Sequence, residues 1–327
     1  MQVKFHGMYS EIRKLNGGGP QGAFLGILEY ISQSNGNANS VPVENQFKFI
    51  DDLTTLEIVN LLAIGLSSIN VKVHVPSNIG LYDYYIPAEN LESQKYLNSI
   101  NQWTTNQKMR INEEKTKAMI FNFTKKYSFQ TDLKLNNKII ERQNECKLLG
   151  TIITNKLSWD SNVKNLVKRS NARMQLLHKI SNFGAPINDL KTIYIAYIRS
   201  ILEQSSNVWH SSLTIENEES LERIKKTALK LILKIKYKTD VNACNMLNID
   251  DLKTRRQQLF EKFTLKNVRH IQFKEYFKKK DNSAYELREN EKYEIFKAKS
   301  ERYKKSAILQ MQYTANKLFK EGKSSNG

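Results

Sequence analysis

Phe47-Lys48-Phe49-Ile50-Asp51-Asp52-Leu53 is a short apolar run that ends in two adjacent carboxylates, and apolar residues at helical spacing follow it from Thr55 to Ile69. Phe47, Phe49 and Leu53 suit a strand that packs its aromatic residues inward and turns at the acids, so the stretch reads as a hairpin. Successive side chains of a regular strand face opposite ways, and only one of the two carboxylates then meets a given substrate. At a hairpin tip that restriction relaxes and both acids can approach one metal ion. Mg²⁺ takes hard oxygen ligands, usually one or two carboxylates plus substrate phosphates, so an aromatic-X-Asp-Asp tip suits metal-dependent phosphoryl transfer. Adjacent aspartates are also common at ordinary turns and helix N-caps, and the pair needs the rest of the chain to give it meaning.

The 327 residues set a length prior of about two domains. Lys and Arg number 51 against 33 Asp and Glu, a net charge of +18 that favours a polyanionic partner, nucleic acid before anionic membrane. Cys146 and Cys244 are the two cysteines, with no Cys-X-X-Cys and no Cys/His spacing that could hold zinc. The apolar stretch around Ile58 to Leu66 is interrupted by Asn60 and is too short to span a bilayer. No charged-then-apolar leader opens the chain. The expectation is an intracellular protein, nucleus or cytoplasm undecided, with no membrane association and no obligate protein partner.

In chain order, Val3 and Phe5 alternate with polar residues before Gly7, which reads as short strands and a turn. Asn16 to Gly26 is a glycine-rich loop with Pro20 where a helix could begin, a place where backbone can approach a phosphate. The plainer reading is a turn before an ordinary helix. Leu91, Leu97, Ile100 and Trp103 share one helical face that ends near Lys108. Asn112 to Lys117 makes a polar turn, Ala118 to Phe123 reads as a strand, and two further strands are expected around Leu133 to Ile140 and Lys147 to Ile153. Lys115 flanks a loop entering a strand, where a lysine can meet a phosphate, although a solvated turn lysine is the commoner case.

After Asn155 the character changes. Val163, Leu166, Val167, Ser170, Met174, Leu177 and Ile180 form one apolar stripe, with Lys164, Lys168, Arg169, Arg173 and Lys179 spread around it. A second helix is expected from about Asn188, as N-cap, to Val208, and a third from about Glu216 to Lys236. Short connections imply an antiparallel bundle. Trp159, Trp209, His178 and His210 are expected to serve packing or capping. From Asp251 onward 20 Lys/Arg face 10 Asp/Glu in a poorly amphipathic segment that either docks on nucleic acid or is solvated and loosely folded, and 282–306 favours a long exposed helix.

The order of these segments resembles a reverse transcriptase, closest to the polymerases of non-LTR retrotransposons, over about residues 2 to 236. The resemblance is carried by Gly18-Gly19-Pro20-Gln21-Gly22, then Phe49-Ile50-Asp51-Asp52, then a helix with Trp103 and a turn with Lys115-Thr116, then Leu148-Leu149-Gly150, then a basic helical region. It implies an α+β fold: a partial polymerase palm, an antiparallel sheet with packed helices, over 1–155; a helical thumb over 156–237; and a basic helical C-terminal region over 238–327. It further implies that Gly18, Pro20, Gln21, Gly22 and Phe49 face template and nucleotide. On the same footing Asp51 and Asp52 hold catalytic Mg²⁺, Lys115 lies on the family's mobile lysine loop, and Leu148, Leu149 and Gly150 grip the primer. Lys164, Lys168, Arg169 and Arg173 of the thumb contact nucleic acid. The implied partners are an RNA template, a DNA primer and deoxynucleoside triphosphates.

Two departures bear on activity. Ile50 and Gly19 stand where the family commonly has a small residue and Val, and neither removes a functional atom. The family carries a further metal-binding aspartate on a strand before the glycine loop, and between Met1 and Gly17 there is no Asp. The expectation is therefore a truncated polymerase, inactive as this chain. The alternatives are a nucleic-acid-binding remnant that does no chemistry and, less favoured, a viral-type RNA-directed RNA polymerase, which shares the Asp-Asp hairpin but not the Pro-Gln-Gly loop.

Overall fold

A computed structural model of the chain describes the backbone of residues 4–5, 8–9, 46–49, 52–55, 82–86, 88–123, 127–279 and 292–320, and the side chains of residues 86, 88–123, 130–271, 273–279 and 292–320. The chain divides into two units, Met1–Asn144 and Glu145–Gly327. Helices predominate and the strands are short, an α+β composition.

In the first unit, β1 (Lys4–Phe5) pairs antiparallel with β2 (Met8–Tyr9), and β3 (Gln46–Phe49) with β4 (Asp52–Thr55). β5 (Tyr82–Tyr85) pairs in parallel with β7 (Tyr127–Gln130), and β6 (Lys117–Ala118) in parallel with β10 (Glu141–Arg142). β8 (Lys134–Leu135) and β9 (Lys138–Ile139) form a tight hairpin. The described strands thus make two-stranded ribbons, two of them parallel, and join into no continuous antiparallel sheet. The strand expected over Ala118–Phe123 reduces to Lys117–Ala118. The one expected over Leu133–Ile140 folds back on itself, because Asn136 and Asn137 take φ of 50° and 64°, the double left-handed turn that a two-residue hairpin needs.

α1 (Glu92–Asn106) occupies the span its periodicity suggests and buries Tyr96 and Ile100. Its buried Gln94 works as a piece of strand: Nε2 donates to the Lys134 carbonyl and Oε1 accepts the Lys134 N–H, each at 2.8 Å. Asn101 reaches the same hairpin by donating to Asn136 Oδ1 at 2.7 Å.

The second unit opens with the antiparallel hairpin of β11 (Glu145–Leu148) and β12 (Thr151–Thr154), again where a single strand was expected. α2 (Asp160–Asn182) follows and is tied to the hairpin by buried Asn162, whose Oδ1 accepts the Ile152 N–H at 3.1 Å. Val163, Leu166, Ser170, Met174 and Leu177 are buried along α2, as the 3.6-residue repeat requires, with Val167 and Ile180 packed at the margin.

α3 (Ile187–Ile193) starts at Pro186 rather than Asn188 and continues through a wide-turned segment, Tyr194–Arg199, to Ser200–Leu202. The expected run to Val208 is cut at Ser205, which takes φ of 52°, and α4 (Ser206–Trp209) is a separate turn. α5 (Ile215–Leu233) is capped by Thr214 Oγ1, which accepts the Asn217 N–H, and it packs along α2. Trp209, Tyr194, Leu221 and Leu229 sit in the shared core, so the tryptophan is a packing residue.

α6 (Asp240–Leu247) and α7 (Leu252–Asn267) are capped the same way by Thr239 and Asp251. α8 (Glu301–Lys304) is a single turn before α9 (Ala307–Lys320). The described part of the basic C-terminal region is folded: Phe260, Phe277, Met311 and Ala315 make a core of their own, and Ser211 and Ser212 both donate to the Lys305 carbonyl.

The long helix expected over 282–306 does not form in its described part: residues 292–300 are non-helical and α8 supplies a single turn. Two N–H groups of the non-helical residues are met by side chains of α9, and that of Glu294 by the Lys278 carbonyl. Asn316 Oδ1 accepts from Tyr293 N at 2.9 Å while its Nδ2 donates to Tyr293 O at 3.0 Å, and Gln312 Oε1 accepts from Phe296 N at 3.0 Å. A segment whose N–H groups are satisfied this way has no need of helical i to i−4 bonds. Among the described residues no helix is long and apolar enough to cross a membrane.

Candidate catalytic hairpin and nucleic-acid interface

Pairing of β3 with β4 sets Phe47 opposite Thr54, Lys48 opposite Leu53 and Phe49 opposite Asp52. Two residues, Ile50 and Asp51, separate the last pair in sequence. The aromatic-X-Asp-Asp motif therefore straddles a two-residue hairpin tip, with Asp52 as the first residue of the returning strand. Asp51 lies outside the described residues, as do Gly18, Pro20, Gln21 and Gly22, and Phe49 and Asp52 are described as backbone alone. Among the described residues no group of three or more His, Cys, Asp or Glu could hold a metal. The donor set of the motif fits Mg²⁺ chemically: two adjacent carboxylates offer hard oxygens and leave other positions to water or phosphate.

Lys115 lies in the turn after α1 that Asn112 organises. Asn112 Oδ1 accepts the Lys115 N–H at 3.1 Å, and its carbonyl accepts both the N–H and the hydroxyl of Thr116. Glu113 anchors the turn to the β8–β9 hairpin, accepting from Asn136 Nδ2 at 2.9 Å and pairing with Lys138 at 2.9 Å. The Asn136 hydrogen bond first, and then Lys138, hold the Glu113 carboxyl down at about 2. Lys117 pairs with Glu141. Lys115 is exposed and ion-pairs with no carboxylate among the described residues, which leaves its ammonium available to an anion.

In the second unit Leu148 pairs with Thr151 across a turn of Leu149 and Gly150, with φ of 47° and 85°. Gly150 suits its left-handed position; Leu149 does not, at a cost of about 1–2 kcal/mol, and its side chain is 51% exposed at the tip. The strand edge beside Gly150 is occupied by Gln204: a Cβ added to Gly150 would collide with Gln204 Nε2. Gln204 Oε1 accepts from Arg169 Nη1 at 2.7 Å, and its carbonyl accepts from Trp209 Nε1 at 3.0 Å. Gln204 thus joins two stretches that the sequence singled out, Leu148-Leu149-Gly150 and the basic residues of α2. Nothing in the sequence marks it beyond its place at the polar break Glu203-Gln204-Ser205-Ser206.

The basic residues of α2 fall into two sets. Lys164 and Lys168 are one turn apart on the solvated face and ion-pair with no carboxylate among the described residues. Arg169 is half-buried and directed into the fold toward Gln204, and exposed Arg173 lies one turn beyond it on that flank. Asp160, at the start of α2, is occupied by Ser158 and Asn217, whose hydrogen bonds hold its carboxyl below the usual range. Of the four basic residues, Lys164, Lys168 and Arg173 are therefore solvent-exposed, and Arg169 serves the fold.

A polar cluster unforeseen from the sequence lies where α7 meets α4 and α5. Arg256 is 1% exposed and its Nη2 donates to Glu218 Oε1 at 3.3 Å. Nearby His210 packs on the Phe260 ring at 4.8 Å, and burial, then the Arg256 charge, lowers its pKa to about 4. Both cysteines are free, and burial pushes both thiols up. No family model matches the chain, and no curated protein and no solved structure shows significant similarity to it.

Proposed function

We propose that the chain is the palm and thumb portion of an RNA-directed DNA polymerase of the retrotransposon kind, whose second unit holds an RNA–DNA primer–template duplex. The observation that carries the reading is the register of the β3–β4 hairpin, in which Phe49 faces Asp52 across the tip residues Ile50 and Asp51. The β11–β12 hairpin and the Lys164–Lys168 face of the following helix support it.

In this reading Asp51 and Asp52 hold Mg²⁺, which when bound neutralises charge on the attacking and leaving oxygens of nucleotidyl transfer. Lys115, on its fixed turn, presents an ammonium to the phosphates of the incoming nucleotide. Lys164, Lys168 and Arg173 hold the duplex by its phosphates and leave the bases unread. A pair of ions about 3.5–4 Å apart needs bridging carboxylates, and the hairpin contributes two neighbouring ones. Two neighbouring carboxylates on one hairpin do not bridge such a pair by themselves. The proposal therefore expects duplex binding from the second unit and makes extension depend on a further carboxylate on a second strand beside the hairpin.

The test is template-directed extension of a DNA primer on RNA, run with Mg²⁺ and all four deoxynucleoside triphosphates beside a binding assay on the same duplex. Binding without extension fits the proposal. Extension that disappears with Asp51→Asn shows that the chain assembles a complete metal pair. Absence of duplex binding contradicts the reading.

A further inference from the structure

One end of the helical unit carries a feature that the duplex-holding face leaves unused. α2 and α5 both terminate there: Ser181 Oγ donates to the Leu231 carbonyl at 3.1 Å, and Lys234 Nζ donates to the Ser181 carbonyl at 2.8 Å. Each helix ends in a reversal that turns an apolar side chain outward. Gly184 takes φ of 80° after α2, and Phe183 before it is 90% exposed. Lys234 takes φ of 49° after α5, and Ile235 behind it is 100% exposed. A Cβ placed on Gly184 meets nothing within 4 Å, so the surroundings are open. In this glycine turn the residue that tucks back is Ala185, which packs against the core, while Phe183 at the cap stays in water.

The charge around this tip is mainly basic, with exposed Asp189 in the first turn of α3 as the acid that follows Phe183 in sequence. Lys179, Lys236 and Lys238 are exposed and have no ion-pair partner among the described residues. Asp240, the neighbouring acid on the next helix, is already engaged by Lys226 at 3.6 Å and by the Tyr237 hydroxyl at 2.5 Å. An exposed aromatic ring set among unpaired lysines matches a ligand that alternates flat apolar faces with negative charges, which describes an unpaired nucleotide. Ring stacking on a base buries the apolar face while the lysines meet the flanking phosphates. A membrane surface also combines the two chemistries, but stable binding there needs a larger apolar face than one Phe and one Ile supply.

We propose that Phe183 and Ile235, with Lys179, Lys236 and Lys238, form a docking site for single-stranded nucleic acid, next to the double-stranded part that the helical unit holds. The inference rests on the duplex-binding reading above. Its test separates the two. Affinity of the full chain is measured by anisotropy for a blunt RNA–DNA hybrid and for the same hybrid with a single-stranded RNA overhang, for the unmutated protein, Phe183→Ala, and Lys164→Ala/Lys168→Ala. Thermal melts establish that each variant is folded, and sedimentation with anionic phospholipid vesicles runs alongside.

The overhang is expected to tighten binding, and Phe183→Ala to remove about ten-fold on the overhang hybrid while leaving the blunt hybrid unchanged. The size of that loss should persist from low to high salt, since stacking releases no counterions. Equal affinity of Phe183→Ala and the unmutated protein for the overhang hybrid overturns the site while the Lys164 and Lys168 effect keeps the duplex reading. Vesicle binding that Phe183→Ala abolishes, with hybrid binding untouched, assigns the tip to membrane and overturns the proposal. Failure to bind either hybrid overturns both readings.

Discussion

Arg169 donates from Nη1 to Gln204 Oε1 at 2.7 Å, and the amide nitrogen of the same Gln204 lies where any side chain on Gly150 would have to go. The turn of the β11–β12 hairpin is thus set by a residue more than fifty positions downstream, through a hydrogen bond from a helix in between. Gly150→Ala should destabilise the second unit by about 1–2 kcal/mol for the left-handed backbone alone, and more because Gln204 must leave Arg169. With Gln204→Ala already in place, the same substitution should cost only the backbone part. A double-mutant cycle by chemical denaturation measures that non-additivity, and strictly additive effects would contradict the contact.

The two sets of basic residues on α2 separate by stability. Arg169→Ala removes a charged hydrogen bond from a half-buried amide and should cost about 1–2 kcal/mol. Lys168→Ala changes only a solvated side chain and should fall within about 0.5 kcal/mol of the unmutated protein. Comparing their melting temperatures decides the assignment.

Much of the helical unit was legible. The 3.6-residue repeat of α2 runs across 23 residues, long enough for the pattern to define one face unaided. The pairing of β3 with β4 was legible because Phe47 and Phe49 on one strand and Leu53, Thr54 and Thr55 on the other are strand-forming residues that flank the acids. The turns were harder. Leu149-Gly150 reads as part of a strand because leucine seldom takes a positive φ, and what holds it there is distant in sequence. The extended run through Tyr293 and Phe296 owes its form to Asn316 and Gln312, about twenty residues on, so its own alternating charges suggested a helix that the fold overrides. The buried Arg256 had no local signal at all.

Those two carboxamides give the next expectation. Asn316→Leu and Gln312→Leu keep the volume of α9 but leave the Tyr293 and Phe296 amides without acceptors, a penalty of about 1–3 kcal/mol each. Hydrogen exchange should show protection lost at those amides first, with the α2–α5 core unaffected. Unchanged exchange at Tyr293 and Phe296 would contradict the role given to the pair.

His210 predicts an acid response. Its folded pKa of about 4 lies below the ordinary 6.5, so the unfolded chain binds the proton more readily than the folded one. The stability it contributes is fully present above pH 6.5 and is lost as pH falls toward 4, to the extent of about 1–3 kcal/mol. His210→Phe should flatten stability over that window. A chemical denaturation series between pH 7 and pH 4 checks this, and an unchanged slope in the variant would assign the acid loss elsewhere.

The central claim, a polymerase portion that holds a primer–template duplex by its phosphates, is tested most directly by the salt dependence of RNA–DNA hybrid binding. For the unmutated chain the logarithm of the binding constant should fall linearly with the logarithm of salt concentration and depend little on hybrid sequence. Lys164→Ala/Lys168→Ala should weaken binding at low salt and make the slope shallower by about two, roughly one for each phosphate contact removed. Absent or salt-insensitive binding, or a slope that the double substitution leaves unchanged, would contradict the account.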